Sequence, residues 1–210
     1  MMENGMEFVR KHVILLALVL AAGGSSPAGA IPLAPTGYTA TPGEGIAQGG
    51  LYNYFDETGS QLIDGIYGAN DWSADLGNGP AYEWVAWKVA DPVITFQFSG
   101  PVIVNQVGID FNRSDPDGIV LPNMVTVGGT DFTVAPDAIP NASRGTVDFD
   151  GTWSGTTLTI DMTHGAPNQW IFVDEITFNG IVVPEPPVFM LLAGGLGCLA
   201  LRLRRTLKPA

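Results

Sequence analysis

The chain is poor in the residues that most enzymes use as nucleophiles or as soft metal ligands. It contains one cysteine, Cys198, and two histidines, His12 and His164. Residues 31–187 contain no cysteine and only one of the histidines, which excludes from that span a Cys/His dyad and a zinc site built from thiolates or several imidazoles. A Ser-His-Asp triad would have to use His164, and no Gly-x-Ser-x-Gly elbow is present. We therefore do not expect an enzyme, although two acids suffice for a glycosidase and the chain has 21.

Positive charge is scarce in the middle of the chain. Residues 31–187 contain 19 acidic residues and three basic ones, which are Lys88, Arg113 and Arg144. A surface this acidic repels nucleic acid, so we predict no nucleic-acid partner. The charge fits two alternatives that the sequence does not separate, namely attraction of Ca²⁺ and simple solubility outside the cell.

The same span lacks any helical stripe, and its pattern predicts an all-β fold. Short runs rich in β-branched and aromatic residues are separated by Gly, Pro, Asn and Asp, which favours an antiparallel β-sandwich or jelly roll over residues 51–182. Residues 31–50, rich in Pro, Gly, Ala and Thr, are predicted to be a linker. The predicted strands cover residues 93–98, 102–111, 124–127, 132–134, 146–149, 157–162 and 170–178.

The last predicted strand carries two adjacent carboxylates, Asp174 and Glu175. Regular alternation would place them on opposite faces, each among apolar neighbours. Because an unpaired buried carboxylate is costly, we expect one of them to have a partner: a cation, an arginine or backbone amides.

Residues 1–30 have the organisation of a secretory signal peptide. Arg10, Lys11 and His12 precede an apolar run, and small residues follow it up to Ala28 and Ala30. A basic segment, an apolar segment and an A-x-A site are typical of cleaved signals, and we expect cleavage after Ala30. An uncleaved membrane helix is the alternative, although the apolar run is short for a span.

The other end, residues 183–210, combines three features. Pro184, Glu185 and Pro186 form an extended, proline-rich hinge, residues 188–201 form an apolar run, and a basic tail follows. The run is predicted to be a short transmembrane helix whose basic end lies in the cytoplasm. An ordinary C-terminal membrane anchor is one interpretation.

The order of these features resembles the PEP-CTERM sorting signal of exported Gram-negative bacterial proteins. The resemblance implies that an exosortase, a membrane transpeptidase, recognises Pro184, Glu185 and Pro186. It also implies contact with the membrane through the C-terminal helix, at least until processing. The expected location is the cell envelope, the cell surface or an extracellular polysaccharide matrix.

The folded part also resembles the galactose-binding-like jelly roll of discoidin, or factor V/VIII C-type, domains. The resemblance rests on an early Leu62-Ile-Asp64-Gly65 turn and a late Glu175-Ile strand that ends at Gly180. It implies a structural Ca²⁺ with Asp64, Glu175 and Asp71 as side-chain ligands, completed by carbonyls of residues 66–70. An ordinary turn, in which Asp64 caps and Gly65 supplies a positive φ, is the alternative.

Sugar-binding sandwiches stack pyranose rings on exposed aromatic side chains. Trp72 and Trp153, in segments rich in Gly, Ser and Asp, are the predicted platforms, with Arg113 as a polar contact, although each could equally be structural. The sequence thus favours a secreted module that binds extracellular polysaccharide without catalysis. The alternatives are a structural matrix or adhesion protein and a carbohydrate-active enzyme. The aromatic candidates are Tyr67, Trp72, Tyr82, Trp84, Trp87 and Trp153.

Overall fold

The computed structural model describes residues 30–47, 52–68, 72 and 83–184. Several predicted features therefore lie outside the described residues. They are the signal peptide up to residue 29 with Ala28, the predicted ligand Asp71, Glu185 and Pro186 of the processing motif, and the apolar run 188–201. Within the described ranges, no helix is long and apolar enough to cross a membrane.

The regular secondary structure of the described residues consists almost entirely of strands. One short 3₁₀ helix, Asp115–Asp117, follows the first of the two longest strands. The strands are β1 Ile31–Leu33, β2 Gly37–Ala40, β3 Ile46–Ala47, β4 Tyr52–Asn53, β5 Val85–Trp87, β6 Val93–Arg113, β7 Met124–Val127, β8 Thr130–Thr133, β9 Ser143–Thr163 and β10 Ile171–Val182.

Eight of these strands form one antiparallel sheet. Its main order is β1-β10-β6-β9-β7-β8, while β2 pairs with β6 and β5 pairs with β10. Strands β3 and β4 form a separate pair. Every pairing between the strands is antiparallel, which confirms the predicted all-β antiparallel fold.

The long strands β6 and β9 fold the sheet over into a two-layered sandwich. Their register shifts between Gln97 and Val102, where the ladder is interrupted. Phe96 precedes this interruption, yet its ring centroid lies 4.8 Å from that of Phe178, which pairs with Val107 beyond it. The two rings meet because the layers face each other, and the main hydrophobic core fills the space between them.

A second, smaller apolar cluster covers one end of the outer face of β10. It is centred on Phe172, whose neighbours along the strand, Ile171 and Val173, belong to the main core instead. Trp84, which directly precedes β5, belongs to this cluster and Trp87 to the main core, so both are buried and point to opposite sides of the sheet. The other buried members are Tyr54, Ala86 and Ile119, with Trp72 and Trp170 packed against them.

The predicted linker over residues 31–50 is wrong for its first ten residues. Ile31–Leu33 pairs with β10, and Gly37–Ala40 pairs with β6. Leu33 is buried in the main core, and Tyr38 and Ala40 pack against it. The apolar side chains are too few and too widely spaced by Pro and Gly for sequence periodicity to reveal these short edge strands.

Leu33→Ala should lower the free energy of unfolding by about 2 kcal/mol, because it removes a buried side chain from the core. Ile31→Ala, two residues away in the same strand, is the matched control. Ile31 is 51% exposed, so its truncation should change stability by less than about 0.5 kcal/mol. Urea unfolding measures both values. Equal, negligible effects would mean that the segment does not pack as a strand.

Candidate functional site

A β-bulge in β10 determines where the two adjacent carboxylates point. Val173 lies opposite Phe111 and Glu175 lies opposite Asp110, so Asp174 is the extra residue of the bulge. A bulge breaks the strict alternation of side chains along a strand. The side chains of Val173 and Ile176 both point into the main core, and those of Asp174 and Glu175, between them, both point to the outer side of the sheet. The predicted placement of Asp174 and Glu175 on opposite faces is therefore wrong.

Both carboxylates bind the backbone of the turn formed by residues 64–68. The Gly65 amide donates to Oε2 of Glu175 at 3.0 Å, and the Gly68 amide donates to Oδ2 of Asp174 at 2.8 Å. The expectation of a partner for these buried acids is confirmed, and the partners are backbone amides. Two consecutive residues of one strand thus hold both ends of this turn.

The turn itself forms as its sequence predicts. Asp64 accepts a hydrogen bond from the Ile66 amide through Oδ1 at 2.8 Å. Gly65 has a φ of +78°, a conformation that glycine adopts without strain. A backbone bond from the Ile176 amide to the Leu62 carbonyl, 2.8 Å long, docks the start of the turn on β10. The predicted conformation of the Asp64-Gly65 turn is confirmed.

Arg144 joins the turn to the neighbouring strands. Its Nε donates to Oδ1 of the buried Asp110 at 3.0 Å, and Nη1 donates to the Gly68 carbonyl at 3.0 Å. Thr146 Oγ1 supplies a further hydrogen bond to Asp110 at 2.8 Å. The guanidinium lies 4.4 Å from the ring centroid of Tyr67, in a cation–π contact. Tyr67 is 42% exposed, so this network fixes an exposed aromatic ring.

We call this assembly the turn site; it comprises residues 64–68 with Asp110, Arg144, Asp174 and Glu175. Beside it runs a groove of about 450 Å³. Asp64, Gly65 and Glu175 line its edge at the turn site, and Thr177 and Asn179 continue it along β10. The opposite wall is the segment 32–35. The groove therefore combines apolar walls with hydroxyl, amide and carboxylate groups.

Burial and crowding of acids shift the titration of this site. Burial and the nearby charge of Asp110 together raise the pKa of Asp174 to about 8, against the opposing effect of the Gly68 amide. The pKa of Glu175 is raised to about 7, mainly by burial and also by the charges of Asp64 and Asp110, while the Gly65 amide opposes the increase. Oδ1 of Asp174 is buried and accepts no hydrogen bond.

This group of neighbouring acids includes two of the predicted calcium ligands, Asp64 and Glu175. Asp64 and Glu175 bind successive amides of one turn, so the fold brings these two predicted ligands together. Carboxylate and carbonyl oxygens are the donors that Ca²⁺ prefers, and the unpartnered oxygen of Asp174 lies at the same turn. The donor chemistry fits the ion. Within the described ranges, however, no three His, Cys, Asp or Glu side chains form a ready metal-binding group.

The predicted ligand-binding residues Trp72 and Arg113 meet at one loop, where both are engaged. Trp72 Nε1 donates to Oδ2 of Asp117 at 3.2 Å, and its ring packs on Phe172. Arg113 forms a bidentate ion pair with Asp115: Nε donates to Oδ1 at 2.8 Å and Nη2 donates to Oδ2 at 2.7 Å. A third guanidinium bond, 2.8 Å long, goes to the Ile139 carbonyl. These contacts assign both residues to the scaffold of the loop.

Trp153 is not an exposed platform, and that prediction is wrong. Only 8% of it is exposed, and it belongs to the main core. A Cβ at Gly128 or Gly151 would come within 2.5 or 2.4 Å of its ring, so these glycines leave the space that the indole occupies. The polar, glycine-rich sequence around Trp153 reflects this packing and not a surface loop.

The described residues offer little that could act in catalysis. His164 has Nδ1 2.7 Å from Asp91 and Nε2 3.2 Å from the Trp87 carbonyl, so both ring nitrogens are engaged. Asp110 is near enough to Asp174 for its charge to raise the pKa of Asp174, but the two residues are only 2% and 0% exposed. A polymeric substrate cannot reach such a buried pair, which disfavours their use as glycosidase acids.

Tyr67, Arg144 and Asp110 form the part of the site that sequence reasoning did not select. They are distant in the chain, and only the pairing of β6 with β9 and β10 brings them together. Tyr67 was one aromatic candidate among six, and nothing local distinguished it. The one signal in the sequence was the small number of basic residues. Because residues 31–187 contain only two arginines, each of them was a candidate partner for the buried acids.

No protein-family model matches the sequence, and no curated protein matches it. Solved structures give weak likenesses. The C-terminal domain of a chitobiase from Bacteroides fragilis has a TM-score of 0.46 at 14% identity, covering 73% of this chain and 100% of that one. A fucose-binding module from Streptococcus pneumoniae has a TM-score of 0.43 at 14% identity, covering 75% and 100%. A fucolectin from striped bass serum has a TM-score of 0.45 at 17% identity, covering 70% and 47%.

The raised pKa values predict how stability depends on pH in the absence of Ca²⁺. The ordinary pKa of an aspartate side chain is 3.8, and the pKa of Asp174 in the folded protein is about 8. At pH values between these two, Asp174 is protonated in the folded state and ionised in the unfolded state. The free energy of unfolding should therefore fall as the pH rises through this window, and Glu175 adds to the fall from 4.5 to about 7.

Asp174→Asn should flatten this dependence, because asparagine still accepts the Gly68 hydrogen bond and does not titrate. Urea unfolding in EGTA across the window measures the effect. A wild-type stability that rises with pH throughout the window would contradict this account of the two acids.

Proposed function

We propose that the protein is a non-catalytic glycan-binding module and that the turn site is where it contacts sugar. The observation that carries the proposal is the exposed ring of Tyr67, which Arg144 fixes. The same turn supplies Asp64 and Gly65 to a groove with polar groups along β10. Pyranose rings stack on aromatic faces, and adjacent amides, hydroxyls and carboxylates bind their hydroxyl groups. Rigid mounting reduces the entropy lost on binding.

The proposed fold family is the galactose-binding-like jelly roll, and we extend the proposal to a structural Ca²⁺. Asp64 and Glu175 would hold the ion together with backbone carbonyls of the turn site, and Asp71 would be a further ligand. Bound there, Ca²⁺ would neutralise the crowded acids and stabilise the turn that carries Tyr67. This proposal is supported by the raised pKa of Glu175, which burial and the charges of Asp64 and Asp110 produce.

We further propose that the protein is exported and sorted to the cell surface or extracellular matrix. The support is the sequence of both ends, with a cleavable signal up to Ala30 and a processing motif at Pro184, Glu185 and Pro186. An exosortase and, transiently, the membrane would be its partners. The intact mass of the protein from its native cells should correspond to a chain from near residue 31 to near residue 187; retention of residues 188–210 would indicate a membrane anchor instead.

A structural matrix protein without a small ligand is the second candidate. It is favoured by the finding that Trp72, Trp153 and Arg113 are all engaged within the fold. In that case the protein would show no retention on any polysaccharide, including the matrix polymer of its own cells.

Tyr67→Ala should weaken retention on that polymer about tenfold, the loss expected when one stacking contact is removed. Tyr67→Phe keeps the ring and should retain most of the binding. Phe55→Ala is the matched control, because Phe55 is also an exposed aromatic residue but lines a different cavity. Affinity gel electrophoresis measures all three. Equal retention of Tyr67→Ala and the wild type would exclude the turn site as the contact.

The melting temperature should be higher in Ca²⁺ than in EGTA, because an ion that binds only the folded state stabilises it. Asp64→Ala should abolish this difference by removing a proposed ligand. Asp148→Ala is the control, since it removes an exposed carboxylate of β9 that is not part of the turn site. Identical melting of the wild type in Ca²⁺ and in EGTA would exclude the ion.

A further inference from the structure

One end of the sandwich is built from uncharged residues of four strands. Strand β10 ends there at Val182, which lies opposite Val102 of β6, and Val102 in turn lies opposite Gly155 of β9. Strand β1 begins at the same end, with Ile31 opposite Gly180. We call this region the neutral end; its residues, none of which is charged, are 30–34, 99–102, 154–156 and 181–184.

Charged residues are also missing from the strands that lead to the neutral end. The uncharged stretches are residues 30–43, 92–109, 151–160 and 176–184. The 19 acids of residues 31–187 are therefore concentrated elsewhere in the domain. The turn site lies among them, because Asp174 precedes Val182 by eight residues of strand. At about 3.3 Å per residue, the two positions are about 26 Å apart.

The neutral end exposes apolar side chains. Val182 is 57% exposed and Ile31 is 51% exposed. Val183 is exposed as well, and its amide donates to the Pro101 carbonyl at 2.8 Å, which holds this segment on the sandwich. Exposed serine and threonine residues add hydroxyl groups. A surface of apolar and hydroxyl groups without charge can enter the headgroup region of a bilayer at little electrostatic cost.

The chain leaves the neutral end close to its C-terminal apolar run. Pro184 belongs to the neutral end, and the run begins at Val188, four residues later. Four residues span at most about 14 Å, so a run inserted in a bilayer would keep the neutral end within that distance of it. Ala30, the predicted signal cleavage point, also lies at the neutral end, opposite the last residues of β10. Both predicted processing points therefore lie at one end of the domain.

We propose that the neutral end docks on the lipid headgroups of the membrane before the C-terminal segment is processed. This inference rests on the proposed export and membrane contact, and it adds the surface that faces the bilayer. The short connection gives the neutral end a high effective concentration at the bilayer, so weak apolar contacts suffice. The acidic remainder of the domain is repelled by anionic lipids and points away. Docking thus holds the processing motif at the membrane and directs the turn site outward.

The test uses the full chain before C-terminal processing, in phosphatidylcholine nanodiscs that carry a nitroxide on the lipid headgroup. One chain per nanodisc prevents a second copy from covering the neutral end. A fluorophore is attached through Ser154→Cys or, as a control, through Val89→Cys, each in a Cys198→Ser background. Val89 is 80% exposed and follows β5, which pairs with the opposite end of β10. Because a docked surface lies at headgroup depth, quenching at position 154 should exceed that at position 89 at least about twofold.

Added charge distinguishes docking from tethering alone. Val182→Glu combined with Ser99→Glu places two carboxylates on the neutral end and should reduce quenching at position 154 at least about twofold, because docking would desolvate them. Val89→Glu combined with Ala166→Glu adds the same charge at the opposite end and should leave the quenching unchanged. All four residues are exposed, so the fold should tolerate each change, and an unchanged melting temperature verifies this.

The outcomes separate this inference from the proposed function. Equal quenching at positions 154 and 89 would overturn the inference, as would quenching at position 154 that the added carboxylates leave unchanged. The proposed membrane contact would stand in both cases if the chain co-elutes with the nanodiscs, and glycan binding is measured independently by affinity gel electrophoresis. A full chain that does not co-elute with the nanodiscs would overturn both the inference and the proposed membrane contact.

Discussion

The bulge at Asp174 is the constraint on which the rest of the site depends. In a regular strand, Asp174 and Glu175 would point to opposite faces, and one of them would enter the main core. The extra residue directs both carboxylates to the outer side, where they accept hydrogen bonds from backbone amides at the two ends of one turn. Carboxylates that accept backbone hydrogen bonds tolerate burial, which explains how two adjacent acids fit an otherwise apolar strand.

The sandwich behind the bulge gives the site its rigidity. Strands β6, β9 and β10 lie side by side, so that Asp110, Arg144 and Asp174 come from three neighbouring strands. Arg144 then connects the buried Asp110 to the turn and to the ring of Tyr67. The turn is thereby held by hydrogen bonds from the sheet at Gly65 and Gly68, and the exposed aromatic ring lies between these fixed points.

Local sequence patterns predicted the fold class and the conformation of the Asp64-Gly65 turn, because both depend on nearest neighbours and alternation. They also predicted that the acids of β10 need partners. Local sequence patterns gave wrong predictions where burial or strand pairing depends on residues distant in the chain. Trp153 is buried by the space that Gly128 and Gly151 leave, and residues 31–40 become strands by pairing with β10 and β6. The bulge itself has no sequence signal, so the site around Arg144 and Asp110 required the structure.

Hydrogen exchange of the Gly65 and Gly68 amides, followed by NMR, tests the central claim most directly. If Glu175 and Asp174 hold the turn as described, both amides exchange far more slowly than in an unstructured peptide. Asp174→Ala then releases Gly68 and shifts the ring resonances of Tyr67, while Gly65 stays protected by Glu175. Exchange of both wild-type amides at unprotected rates would contradict the account, because the turn would not be fixed by the bulge.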